Sequence, residues 1–346
     1  MRSLQELIRP NIRSLSWSAH LSVASQEYKV GIRLDANENP YNAPFNRYPI
    51  ESENRFKALA AQIKGIPVEN ITLGNGSDEL VDLSFRIFCR PQKDNVVAIS
   101  PTYEMYQHYA DLNEVTYRAV ILNERFGLSS RKVLDACDAR TKIVWLCSPN
   151  NPSGNSLERE EMLQIVTDFD GIVIIDEAYS DFAAQCPMRN EIADHPNLIV
   201  LNTLSNAWGN AALHLGMAFA HRDIIEFFDR IRPPHPINAL TLQQAIEAIC
   251  DPYEVDKWVR MLLLERRRML DALRELPICK AVYPTEANFI LAKMTDAAAI
   301  YEYLVSKRIF VHPLIDTPLC TDCLRISIGT KSENNALLAA LRQYGR

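Results

Sequence analysis

The sequence has no apolar run approaching the roughly 18 residues that a membrane-spanning helix needs, so no membrane association through such a helix is expected. It has no basic excess either. Lys and Arg number 37 against 43 Asp and Glu, a net charge of −6, which argues against a nucleic-acid-binding face and offers nothing to an anionic membrane. The opening stretch MRSLQELIRPNIRSLSW lacks a signal-peptide h-region. Internal repeats and low-complexity segments are absent. The eight cysteines are scattered, and Cys89, Cys147 and Cys250 sit in apolar runs, so free buried thiols in a reducing cytoplasm are expected. Cys320 and Cys323 form a C-x-x-C, but no second Cys or His pair is spaced to complete a metal site, and no metal is expected.

What remains is a long chain of ordinary globular composition: 346 residues, 47% hydrophobic and 23% charged. That length suggests two domains or one large α/β domain. Apolar strand-like runs at 71–73, 96–99, 115–121, 143–147, 172–175, 198–201 and 217–220 alternate with amphipathic segments. Phe56, Leu59, Ala60 and Ile63 have helical spacing, with Gly65 as a stop signal; Leu80, Leu83, Ser84, Ile87 and Phe88 repeat the pattern. Continuous apolar strands separated by helices predict an α/β fold with a mostly parallel sheet covered on both faces. The run Pro233-Pro-His-Pro236 breaks this order. Two helices are expected after it, the second long and rich in Arg and Leu over about 253–275. Strands near 288–292, 309–311 and 324–328 then alternate with helices. The expected division is a large domain over residues 46–236 and a smaller α/β domain built from 1–45 and 237–346.

In parallel α/β sheets ligands bind beyond the carboxyl ends of the strands. The first such end, Gly74-Asn-Gly-Ser-Asp-Glu79, suits either a phosphate site at a helix N-terminus or an ordinary glycine turn with an N-cap. Tyr103, after the strand at 96–99, reads as a ring that stacks on a flat heterocycle or as a surface tyrosine. Ser148 to Gly154 makes a rigid turn whose amides point off the sheet. Asp176 ends an apolar strand, where a carboxylate needs a partner: a helix N-cap, an ion pair or a protonated ring nitrogen of a ligand. Ser205 places a hydroxyl within reach of a phosphate.

Taken in order, these features resemble the fold-type I pyridoxal-phosphate enzymes. The phrases NENPY (37–41), NRYP (46–49), GNGSDE (74–79), SPTYEMY (100–106), CSPNNPSG (147–154), DEAY (176–179), EANFIL (286–291) and CLRISIGT (323–330) resemble histidinol-phosphate aminotransferases in particular, from about residue 5 to the C-terminus. The resemblance implies pyridoxal 5′-phosphate as cofactor and a homodimer with shared active sites, acting on a small-molecule amino donor and an oxo acid. It implies that Asp176 pairs the ring nitrogen, that Asn151 and Tyr179 bond the ring's 3-oxygen, and that Tyr103 stacks on the ring. Gly76, Ser77 and Asp78 would cradle the phosphate with Ser205, and Tyr48 would reach it from the neighbouring subunit. Arg325, with Asn37 and His312, would face the substrate.

The chain departs from that pattern at the family motif T-x-S-K-A-[FW]-G. Here it reads Thr203-Leu-Ser-Asn-Ala-Trp-Gly209, placing Asn206 where the resemblance puts the Schiff-base lysine, and His214 where it puts an arginine. An amide is neither a usable nucleophile nor a general base. A protonated imidazole replaces a guanidinium in part only. His214 is a conceivable substitute base, but it is expected two helical turns from 206, which speaks against that role. His312 likewise stands where an arginine is expected, and the N-terminal P-Y-x-x-x-R segment is not recognisable in 18–28. Two readings follow: an aminotransferase-family protein with slow or absent turnover, or a repurposed member acting as a binding or interaction protein. A different reaction on the same scaffold, such as decarboxylation of a phosphorylated amino acid, is a third.

Overall fold

The computed structural model describes residues 2–15 and 32–344. Seven strands form the main sheet: β1 (Ile71–Asn75), β2 (Asn95–Ser100), β3 (Thr116–Ile121), β4 (Thr141–Cys147), β5 (Ile172–Asp176), β6 (Leu198–Thr203) and β7 (Leu215–Ala220), in the order β1-β7-β6-β5-β4-β2-β3. Pairing is parallel from β6 through β5, β4 and β2 to β3; β7 runs antiparallel to both β6 and β1. Every residue of β4, β5, β6 and β7 is buried. That is why β5 and β6 carry unbroken Ile, Val and Leu runs, at 172–175 and 198–201, rather than alternating ones. The α/β class, with its mostly parallel sheet, is as expected.

Local signals hold where they were strongest. The helix Ile50–Lys64 ends on Gly65, which takes the left-handed conformation at φ 69° and donates its N–H to Ala61. The helix Gly76–Phe88 buries Leu80, Leu83, Ser84, Ile87 and Phe88. The two helices after residue 236 are Ala239–Ile249 and Pro252–Arg274. A four-stranded antiparallel sheet follows, of β8 (Cys279–Val282), β9 (Phe289–Met294), β10 (His312–Leu314) and β11 (Cys323–Ser327) in the order β10-β11-β9-β8. The strand expected at 309–311 lies three residues later, because Arg308 takes a positive φ of 59° and pairing with β11 starts at His312. The short strand β8 carried no sequence signal strong enough to read.

The packing redraws the domain outline. Residues 2–15 were expected with the small domain, but Leu7, Ile8 and Ile12 pack with Leu80, Ile87 and Trp145 of the large one. Arg9 N–H donates to the Ile87 carbonyl at 2.9 Å, and Arg2 Nη2 to that of Thr141 at 3.0 Å. Residues from 237 on also begin inside the large core. Leu242, Ala245, Ile249, Val255 and Val259 belong to it, while Met269 and Leu273 of the same long helix belong to the core of the small sheet. The helix Pro252–Arg274 therefore spans both cores. The segment 18–28 lies outside the described residues. Cys89 and Cys147 are buried, as expected, whereas Cys250 is exposed at the end of its helix. Among the described residues no helix is long and apolar enough to cross a membrane, and no group of three His, Cys, Asp or Glu side chains is placed to hold a metal.

Candidate functional site

The carboxyl ends of β1, β2, β4, β5 and β6 share one edge of the sheet. β7 is antiparallel, so its amino end lies on that edge too: Asn75 pairs with Leu215 and Thr203 with Gly216. A cavity of about 180 Å³ opens there. Gly76, Ser77 and Asp78 line it from the helix start after β1, Tyr103 from the turn after β2, and Asn151 from the turn after β4. Asp176 and Tyr179 line it from the end of β5, and Ser205, Asn206 and His214 from the β6–β7 connection. The sequence separation of 206 and 214 was expected to hold them two helical turns apart. In the structure that connection is a turn and a single 3₁₀ segment, Ala211–Leu213, and both residues line the same cavity.

One wall is built on Asp176. The residue is buried, and its Oδ2 accepts from the Tyr106 hydroxyl at 2.7 Å while Oδ1 accepts from the Ala178 N–H at 3.0 Å. It has no cationic partner among the described residues. Burial pushes its carboxyl up to about 6, against the opposing pull of the Tyr106 hydrogen bond. Behind it Tyr106 stacks on Trp145, with centroids 4.8 Å apart and planes at 16°, and Trp145 stacks in turn on Phe85 at 5.5 Å. Tyr103 meets Tyr106 edge-on at 5.6 Å, and its hydroxyl donates to Asp78 at 3.1 Å. Burial and then Asp78 raise the Tyr103 phenol, and burial raises that of Tyr179, so both remain O–H donors at neutral pH. Asn151 accepts through Oδ1 from Arg325 Nη1, which leaves its amide N–H₂ as the free end.

The opposite wall is looser. The Gly76 N–H donates to the His214 carbonyl at 2.5 Å, so Gly76 contributes its lack of a side chain rather than a donor. At its φ of 72°, a Cβ would meet the His214 ring at 2.5 Å. The Ser77 and Asp78 N–H groups remain, in the first helical turn where no internal carbonyl can serve them. Ser205 Oγ lies 3.0 Å from Thr203 Oγ1. Asn206 Nδ2 donates to the Ala178 carbonyl at 2.9 Å. Asn206 is half-buried and His214 is exposed.

Known proteins can now be set beside this geometry. A model of the family "Aminotransferase class I and II" matches residues 34–341. The chain is 49% identical to a histidinol-phosphate aminotransferase of Bacteroides thetaiotaomicron, over 99% of each chain, and 45% identical to that of Parabacteroides distasonis, also over 99% of each. The chain belongs to the histidinol-phosphate aminotransferase family. In fold it is similar to the histidinol-phosphate aminotransferase from Sinorhizobium meliloti solved in complex with pyridoxal-5′-phosphate. That likeness has a TM-score of 0.80 and 24% identity over 97% of each chain. The enzyme of the same name from Clostridium acetobutylicum superposes with a TM-score of 0.80 at 20% identity, covering 87% of this chain and 91% of that one.

For a member of this family the cavity fits the cofactor in two respects. Asp176 is a buried carboxylate without a cation, which a protonated ring nitrogen supplies, and Ser77 and Asp78 offer unserved N–H groups suited to a phosphate. It does not fit covalent attachment, since none of the described residues lining it is a lysine.

Four expected residues sit elsewhere. Arg325 and His312 face each other across the β10–β11 pairing. Arg325 reaches the cavity through Asn151, with its guanidinium 5.6 Å from the Phe289 ring centre. His312 is exposed, and partial burial and the neighbouring Arg325 lower its pKa, which makes it a weak partner for an anion. Asn37 and Tyr48 do not meet the cavity of their own chain. They line a separate groove of about 610 Å³. Glu38 folds that segment on itself by accepting from the Tyr48 N–H at 2.6 Å and from Arg47 at 2.8 Å, and Tyr48 stacks on His235 at 4.5 Å. Asn37, expected at the substrate, lies in this groove of its own chain. Sequence reading also missed Tyr106, Trp145 and the Ala178 carbonyl. Tyr106 was visible in SPTYEMY three residues after Tyr103; a backbone carbonyl leaves no signal at all.

Proposed function

We propose that the cavity binds pyridoxal 5′-phosphate without a covalent link, and that the chain carries amino transfer between L-histidinol phosphate and 2-oxoglutarate only slowly. The observation that carries this reading is Asn206, lining the cavity at the position we assign to the family lysine. When bound, the cofactor supplies an electron sink for bonds at the substrate's amine-bearing carbon. Asp176 holds the ring nitrogen protonated. The Asn151 amide and the Tyr179 hydroxyl donate to the ring's 3-oxygen, Tyr103 covers a ring face, and Ser77, Asp78 and Ser205 hold the phosphate. Arg325, oriented by Asn151, takes an anionic group of the substrate. Tyr48 acts on the site of a second subunit in a homodimer, which agrees with its place outside its own cavity. Asn206 can hold a proton donor or acceptor in place, but it cannot carry a proton between two carbons, and this step limits turnover. The exposed His214 favours a second reading, a member that binds ligand without turning it over.

The test is Asn206→Lys, alone and with His214→Arg. The double variant is expected to retain cofactor through dialysis and to raise amino transfer from histidinol phosphate at least about 100-fold, more than either change alone. No gain in either property would sink the site assignment. A protein-bound cofactor that borohydride fixes to the unaltered chain would overturn the claim that it lacks a covalent anchor. Amino transfer by the unaltered chain separates the two readings.

A further inference from the structure

Asn206 is held in one orientation. Its amide faces the Ala178 carbonyl at 2.9 Å. A carbonyl oxygen only accepts, so the amide nitrogen must be the atom on that side. Oδ1 is the other end of that amide, and no hydrogen bond reaches it among the described residues. Ala178 couples the two ends of the site, since its own N–H donates to Asp176 Oδ1 at 3.0 Å. The cavity wall also carries two carboxylates, Asp78 and Asp176, and no lysine or arginine among its described residues. Its unserved polar atom beside position 206 is an acceptor in an anionic surrounding.

We propose that this cavity selects the amine form of the cofactor, pyridoxamine 5′-phosphate, over the aldehyde form, and that Asn206 Oδ1 is the selecting atom. The inference rests on the reading that the cavity takes this class of ligand. A lysine would give the aldehyde a covalent bond; asparagine gives it none. The aldehyde oxygen has lone pairs only and meets Oδ1 as one acceptor meeting another. The aminomethyl group is an ammonium with three N–H donors. It adds one charge-assisted hydrogen bond.

The test measures three probes on the full-length protein by calorimetry: pyridoxamine 5′-phosphate, pyridoxal 5′-phosphate and 4′-deoxypyridoxine 5′-phosphate, which carries a methyl group in place of the amine. The aldehyde is followed by displacement of bound amine, so that adducts with surface lysines do not count. The amine is expected to bind about tenfold tighter than the methyl compound, the size of one charge-assisted hydrogen bond. The aldehyde should bind no tighter than the methyl compound. Asn206→Leu should abolish the amine's advantage over the methyl compound within that variant, and retained binding of the methyl compound reports that the pocket is intact. An amine no tighter than the methyl compound, or an advantage that survives Asn206→Leu, overturns this inference and leaves the pocket reading standing. Failure of all three probes to bind overturns both.

Discussion

The two walls of the cavity are made of the same kind of material, strand ends and the turns that leave them, but they are held in different ways. On the Asp176 side, each group is fixed by something behind it: Asp176 by Tyr106, Tyr106 by Trp145, and Trp145 by Phe85. Those side chains belong to the core of the large domain, so their positions follow from packing whatever chemistry takes place in front of them. On the 205–214 side, Asn206 is tied by one hydrogen bond to a backbone carbonyl, and His214 is exposed. Substitution there meets little structural resistance. Asn206 and His214 both lie on this wall. Groups that stand in front of a packed core are held by folding, whereas groups on a turn are held by little beyond their own contacts.

The largest expected effect tests that difference directly. Trp145→Ala empties a fully buried site between two aromatic rings and should lower unfolding stability by about 3–5 kcal/mol in urea titration. His214→Ala, on the other wall, should change it by less than about 0.5 kcal/mol. Comparable losses would mean that both walls belong to the folded core and that the contrast is false.

The same contrast governs what was legible in the sequence. β4 to β7 could be read because strands buried on both faces are apolar through their middles, with their polar residues at the ends. Asp176, Tyr179, Asn151 and Ser205 were legible because each follows such a strand. Position 214 was legible by motif but not in space: only the antiparallel direction of β7 brings its amino end to the cavity, and strand direction is a long-range property. The place of Asn37 within its own chain was not legible for a related reason, since nothing local says that Glu38 will fold its own neighbours into another groove. The N-terminal helices escaped because Leu7, Ile8 and Ile12 form an apolar face without naming the surface it covers.

Asp176 provides a finer probe of the first wall. Its folded-state carboxyl is raised to about 6 by burial, above that of an unfolded chain. The folded state therefore holds the proton more tightly, and stability declines as pH rises through the window from about 4 to 6, where the group must ionise while buried. In cofactor-free protein, Asp176→Asn should remove that loss. The variant should match the parent near pH 4 and exceed it by about 1–3 kcal/mol above pH 6.5 in thermal unfolding. Glu177, raised to about 7 by burial, titrates in an overlapping range, so the difference between the two proteins carries the information, not either profile alone. In the presence of pyridoxamine 5′-phosphate the ranking should invert, because the ligand's ring nitrogen supplies the missing cation. A gain independent of pH would show that the carboxylate is already compensated and that this wall does not wait for a ligand.

The smallest effect lies within the second wall, where Gly76 meets His214. Two physical effects oppose an alanine at 76, and they can be told apart. The φ of 72° is unfavourable to any residue with a Cβ, whatever lies nearby. The added Cβ would also meet the His214 ring at 2.5 Å, but that ring is the far end of an exposed side chain and can swing away. The backbone effect should dominate. Gly76→Ala should lower stability by about 1 kcal/mol, and the loss should persist in a His214→Ala background with a coupling below about 0.5 kcal/mol in a double-mutant cycle. A larger coupling would mean that the imidazole is fixed against the helix start. His214 would then have to be counted with Asp176 among the groups that folding holds in place, and the second wall would be no freer than the first.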